Sequence, residues 1–109
     1  MILECFINAS SETEAINILK SYLSRINHIQ YTDVTAEPYW KMDGVFVTKV
    51  KEVYVDDLHS LLNLLADYWV EIGNPVEEYI ASDNDSKQTR IVDGLLMAHI
   101  YDITDIRRT

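Results

Sequence analysis

The fold turns on "HIQYTDVTAEPYWKMDGVFVTKVKEVYV", residues 28–55. Its middle carries Asp43-Gly44, the strongest short hairpin signal in the chain, because both residues tolerate the positive φ that a tight turn needs. The run before it, residues 28–40, is rich in β-branched and aromatic residues, and Pro38 marks an edge strand or a bulge. The run after it, residues 45–55, is the returning strand. Alternation puts Phe46, Thr48 and Val50 on one face and Val47, Lys49 and Lys51 on the other.

Helical patterns flank this hairpin. Upstream, Ser11 and Glu14 form an S-x-x-E capping box. Ala15, Ile16, Leu19, Tyr22, Leu23 and Ile26 then recur at three- and four-residue spacing, which predicts an amphipathic helix ending near Asn27. Before it, "MILECFI" reads as a strand buried on both faces. Downstream, Asp56 or Asp57 caps a second helix whose core stripe is Leu58, Leu61, Leu62, Leu65 and Trp69. Gly73 followed by Asn74-Pro75 reads as its stop. A strand over 76–82, a polar loop over 83–89 and a strand within 95–103 complete the chain.

The expected fold is α+β, a single domain over residues 1–109 with element order β-α-β-β-α-β-β. Two helices alternating with strands around a central hairpin predict a ferredoxin-like variant. In that layout an antiparallel sheet of about five strands carries both helices on one face, and the last strand widens the sheet at an edge.

Composition narrows the function classes. No apolar run approaches the ~20 residues of a membrane helix, and the start lacks the basic region of a secretion signal. The lone Cys5 allows no internal disulfide, so the cytoplasm is the expected compartment. Net charge is −9, and between Glu52 and Ser86 nine acids occur without one lysine or arginine. Such a surface repels nucleic acid and anionic lipid and attracts basic proteins. Direct nucleic-acid and membrane binding are therefore disfavoured.

No catalytic or cofactor pattern emerges. "DNDSKQTRIVDG", residues 83–94, places Asp83 and Asp85 at positions 1 and 3 of a calcium loop. It has Lys87 at position 5, Gln88 where glycine is required and Gly94 where the closing glutamate belongs. His28, His59 and His99 lack metal-ligand spacing, so no metal is expected. Cys5 sits inside an apolar strand, where burial disfavours the thiolate. No nucleophile elbow or phosphate loop occurs, and the chain is expected to act without catalysis or cofactor.

The acids themselves are the candidates. On the second helix His59, Asn63, Asp67 and Glu71 recur every four residues as a polar row. Asp67 and Glu71 one turn apart repel by ~0.2–0.5 kcal/mol, and Glu71 sits at the unfavourable dipole end. Either this is simply a solvated face or it is shaped for a cationic partner. Glu77, Glu78, Asp83 and Asp85 follow within nine residues. At the hairpin, Tyr39 and Trp40 lie beside Glu37 and Asp43, like aromatic anchors within a polar rim. The expected partner-binding set is Glu71, Glu77, Glu78, Asp83 and Asp85, then Asp56, Asp57, Asp67, Glu37 and Asp43, with Tyr39 or Trp40 for apolar contact. These side chains are expected to share one exterior flank.

In size, acidity and mixture of strands and helices, the chain resembles small bacterial immunity proteins of contact-dependent inhibition and colicin-like systems. The resemblance implies tight binding to a toxin domain, commonly a basic nuclease, whose groove is blocked. The rival is a small-molecule-binding or enzymatic domain, dimerising through its sheet, with pocket walls drawn from the seven tyrosines and two tryptophans. A mimic of nucleic acid is a third class, physically close to the first.

Overall fold

The computed structural model describes residues 1–103. The elements are β1 (Ile2–Asn8), α1 (Glu12–Leu23), β2 (Ile29–Tyr31), β3 (Val34–Pro38), β4 (Val45–Val50), β5 (Val53–Val55), α2 (Leu58–Leu65), β6 (Val70–Ile72), β7 (Glu78–Ser82) and β8 (Leu95–Tyr101). Six strands form one antiparallel sheet in the order β3-β4-β1-β8-β7-β6, and β2 with β5 makes a separate two-stranded ribbon. The α+β class expected from sequence holds, with a larger sheet.

The strand order departs from expectation. The last strand, β8, lies beside β1 in the middle of the sheet, and β7 and β6 extend outward from it. Apolarity explains the placement. β8 buries Leu95, Ala98 and Ile100, whereas the three-residue β6 is exposed at every position. A central strand is covered on its helix side along its length, so the longer and more apolar segment takes that place.

The hairpin pairs β3 with β4 as expected, but its connection is longer than a tight Asp43-Gly44 turn: it spans residues 39–44, and of that pair only Gly44, at φ 74°, has a positive φ. Both of its runs break in two, however. Thr32-Asp33 and Lys51-Glu52 interrupt them, joined by a Thr32 N–H to Glu52 carbonyl bond of 3.1 Å. Beyond the break the chains pair again as the ribbon, Ile29 opposite Val55 and Tyr31 opposite Val53.

Helix α1 is capped by Ser11, whose hydroxyl accepts the Glu14 N–H at 3.1 Å. The Glu14 carboxylate turns back to Ser10 rather than to Ser11. The helix ends at Leu23, four residues before the expected Asn27. Arg25 and Ile26 bond back only three residues, to Tyr22 and Leu23, which tightens the exit into a turn.

Helix α2 is also shorter than its pattern. Asp57 caps it by accepting from His59 N–H at 3.0 Å and Ser60 hydroxyl at 3.1 Å. It stops at Leu65 because Ala66 turns extended and bridges to Ile91. Asp67 and Glu71 therefore are not on the helix, and the polar row with its like-charge pair does not exist. Trp69 is half-buried off the helix end, its indole N–H bonded to the Leu62 carbonyl at 3.0 Å. Gly73 and Asn74-Pro75 close the β6–β7 hairpin instead of stopping a helix.

The buried residues form one cluster between sheet and helices. Leu3, Cys5 and Ile7 of β1 meet Leu19 and Leu23 of α1 and Leu61 and Leu65 of α2, all 0 % exposed. Each such leucine contributes roughly 1.5–3 kcal/mol of burial. The alternate residues Ile2, Glu4 and Phe6 are only half-buried, so β1 is covered on one face, not both. Among the described residues, the opposite face of the sheet carries no helix. Among the described residues, no helix is long and apolar enough to cross a membrane.

Candidate docking corner at one end of the sheet

The face away from the helices is ordered by cross-strand register. Glu37, Val47, Phe6, Met97 and Ser82 stand in one row across β3, β4, β1, β8 and β7. Neighbours in such a row share a face. Phe6 lies between the helix-facing Cys5 and Ile7, so the row belongs to the uncovered side.

At the end where β1 finishes, two loops rise beside this row. The Asn8 N–H bonds the Gly94 carbonyl at 2.9 Å and the Ala9 N–H bonds the Gly44 carbonyl at 3.0 Å. The β3–β4 turn and the long β7–β8 loop are thereby fixed on either side of β1. Between them lies a groove of about 220 Å³ lined by Phe6, Tyr39, Met42, Val45, Ser82, Asp83, Asn84, Leu96 and Met97. Phe6 and Met97 of the row supply its apolar floor. The Tyr39 ring packs edge-on against Phe6 at 4.9 Å between centroids. Met42 forms a lip at 51 % exposure and Trp40 stands outside at 83 %. Lys41 lies over the Trp40 ring, 5.0 Å from its centroid.

The loop that brings Asp83 to this corner is held by polar clamps. Its first turn is closed by Asp85, which accepts the Lys87 N–H at 2.9 Å. Gln88 accepts from the Asp67 and Tyr68 N–H groups at 3.1 and 3.0 Å and donates to the Tyr68 carbonyl at 2.9 Å. Asp67 accepts the Thr89 and Arg90 N–H groups at 3.1 and 3.0 Å and the Thr89 hydroxyl. The Thr89 hydroxyl bond first, then these backbone donors, hold the Asp67 carboxyl below the usual carboxylate range. The loop's far end is seated by Tyr22, whose hydroxyl donates to the Asp93 carbonyl at 2.6 Å. Burial, then the neighbouring Cys5 and Asp93, push the Tyr22 hydroxyl up to about 12.

The candidates expected from sequence do not form one flank. Tyr39, Trp40, Asp43 and Asp83 gather at this end, with Asp85 in the same loop and Glu37 on the adjoining row. Glu71, Glu77 and Glu78 sit on the β6–β7 hairpin at the opposite end, where β8 finishes. Glu78 is spoken for, with its Oε1 2.8 Å from His99 Nε2. Asp56 and Asp57 precede α2 and border a separate hollow with Arg25 and His28. Asp57 is a helix cap and Asp67 a loop clamp, so both have structural work. Exposure of at least one of Tyr39 and Trp40 was expected, and Trp40 is the exposed one. None of these carboxylates has a lysine or arginine nitrogen within 4 Å among the described residues.

Sequence reasoning missed Phe6, Met42, Leu96 and Met97, the apolar part of the groove. Glu4 in the middle of "MILECFI" was the available signal, since a charge there makes the strand alternate. Among the described residues no three or more histidine, cysteine or acidic side chains gather as a metal cluster. Burial drives the Cys5 thiol pKa far above its usual value, which keeps it protonated.

The arrangement is that of a small α+β protein with a shallow, apolar-floored corner, with Asp83 in its lining and Asp43 in the adjoining turn. Comparison with protein-family models, curated proteins and solved structures returned no match to this chain.

Proposed function

We propose that this chain is a binding protein of the inhibitor or immunity kind. It docks on a basic protein partner, of the type a bacterial toxin nuclease presents, and blocks it without catalysis. The carrying observation is the corner itself. Trp40 and Met42 are exposed beside a groove with Phe6, Leu96 and Met97 inside it, and Asp83 at its rim has no cationic partner among the described residues.

Physical chemistry connects these features. A nuclease surface is basic because its substrate is a polyanion. A net charge of −9 steers such a surface toward this chain. Long-range attraction does not fix a pose, and an aromatic anchor in a water-excluding setting does. Trp40 fits that role, with Asp43 and Asp83 for the rim. The acids on the β6–β7 hairpin and before α2 add to steering and stand apart from the pose.

The small-molecule alternative has less support. The groove is below the ~300–1,000 Å³ of ordinary ligand pockets. The larger hollow of about 530 Å³ beside α2 is bordered mostly by exposed side chains, Arg25, His28, Asp56 and Asp57 among them. The tyrosines do not converge either: Tyr31 and Tyr54 are exposed, Tyr22 is in the core and Tyr39 lines the groove.

The test is inhibition of cleavage by a panel of basic nuclease domains. The expected result is stoichiometric inhibition of at least one domain. Trp40→Ala should weaken it by about tenfold or more, as loss of a buried aromatic anchor does. Inhibition of none, or equal inhibition by the Trp40→Ala protein, contradicts the proposal.

A further inference from the structure

We infer that the groove between Tyr39 and Asp83 receives a single arginine side chain of the partner. This rests on the docking function proposed above and names the chemistry of its anchor.

Size comes first. About 220 Å³ is too little for a drug-sized ligand and suits one long side chain. Composition then selects which one. The interior offers Phe6, Leu96 and Met97, and the β7–β8 side offers Ser82, Asp83 and Asn84. An apolar side chain would cover the floor and leave the Asp83 carboxylate partly desolvated without a partner, which costs free energy. An acidic one would be repelled. A side chain with an apolar stem and a cationic head satisfies both ends.

Arginine is favoured over lysine. Its planar guanidinium pairs with a carboxylate through two parallel bonds and packs on aromatic rings, and Tyr39 stands in the wall. The Asp83 N–H is already bonded to the Leu96 carbonyl at 2.9 Å, so the backbone that bears the carboxylate is fixed to the floor strand. Among the described residues, neither lysine nor arginine lines the groove. The nearest lysine in sequence, Lys41, is held outside over Trp40.

The experiment is a titration of the full-length, ¹⁵N-labelled chain with N-acetyl-arginine amide, N-acetyl-lysine amide and N-acetyl-norleucine amide. The expected result is saturable shifts at Phe6, Tyr39, Asp83, Leu96 and Met97 with the arginine probe. Lysine should bind more weakly, and norleucine about tenfold more weakly, the loss that follows removal of a charge-assisted bond. Asp83→Asn should weaken the arginine probe by a similar factor. Asp33→Asn, the same charge change outside the groove, should leave it unaltered. Equal binding of norleucine, tighter binding of lysine, or equal weakening by the two substitutions overturns the inference. A nuclease inhibited by the wild-type chain whose groove does not respond to arginine removes the anchor and leaves the docking function intact. A responding groove with no nuclease inhibited removes the docking function alone.

Discussion

Tyr22 lies on α1 at 3 % exposure, yet its hydroxyl reaches the Asp93 carbonyl, 71 residues away in sequence. It acts at the far anchor of the loop that carries Asp83. Gly94 beside it has φ +89°, and a Cβ there would meet the Tyr22 hydroxyl at 3.2 Å. Tyr22→Phe keeps the packing and removes the bond, so the chain should lose about 1 kcal/mol of stability. Urea unfolding measures it, and an unchanged midpoint would show the bond is idle. Asp67 is the second residue-scale support. Its carboxyl pKa is depressed in the fold, so the ionised clamp contributes stability above the ordinary carboxylate value of ~3.9. That contribution is lost as pH falls through the lower folded value. The Thr89 and Arg90 amide shifts should therefore titrate with a midpoint below ~3.9 in the native protein. A midpoint at or above the ordinary value contradicts the clamp. Neither role was legible in the sequence, since Asp67 fits a helix surface equally well until Ala66 leaves the helix. Trp40, by contrast, was legible: alternation past Pro38 requires one of two adjacent aromatics to face outward.

At the scale of elements, local chemistry was read well and ends were read badly. The Ser11 cap, the Asp57 cap and the positive φ of Gly44 are set by neighbours within four residues, and all three are present, although the β3–β4 connection is longer than the tight turn expected. The end of α2 is set from outside. The Val92 N–H bonds the Leu65 carbonyl at 2.8 Å and the Asp67 N–H bonds the Arg90 carbonyl at 2.9 Å. A loop some two dozen residues downstream thus replaces the next helical turn with strand-like pairing, and no period in the sequence reports that. Gln88 is the side chain that ties this loop to the α2–β6 connection. Gln88→Ala should cost ~1–3 kcal/mol, because it leaves the half-buried Tyr68 N–H without its acceptor, whereas the Asp67 N–H keeps the Arg90 carbonyl. Faster amide exchange at Tyr68 and in residues 83–90, with α1 unaffected, is the expected pattern. Uniform exchange across the chain would mean the loop is not an independently clamped unit.

Over the whole molecule, the candidate acids do not share one flank, dividing mainly between the two ends of the sheet and the start of α2, so charge and pose are separable. A total of −9 speeds the arrival of any basic partner. On the docking function proposed above, the corner of Trp40, Met42 and Asp83 is what sets how long that partner stays. The charge was plain from composition. The corner was not, because it depends on β8 inserting beside β1 and carrying Leu96 and Met97 to Phe6. The most direct test is the association and dissociation rates of an inhibited nuclease domain across ionic strength, for the wild-type, Trp40→Ala and Glu71→Gln/Glu77→Gln chains. Association should slow as salt rises for all three, and slightly less steeply for the Glu71/Glu77 variant. Dissociation should quicken about tenfold for Trp40→Ala alone. Association indifferent to salt, or dissociation unchanged by Trp40→Ala, would contradict the account.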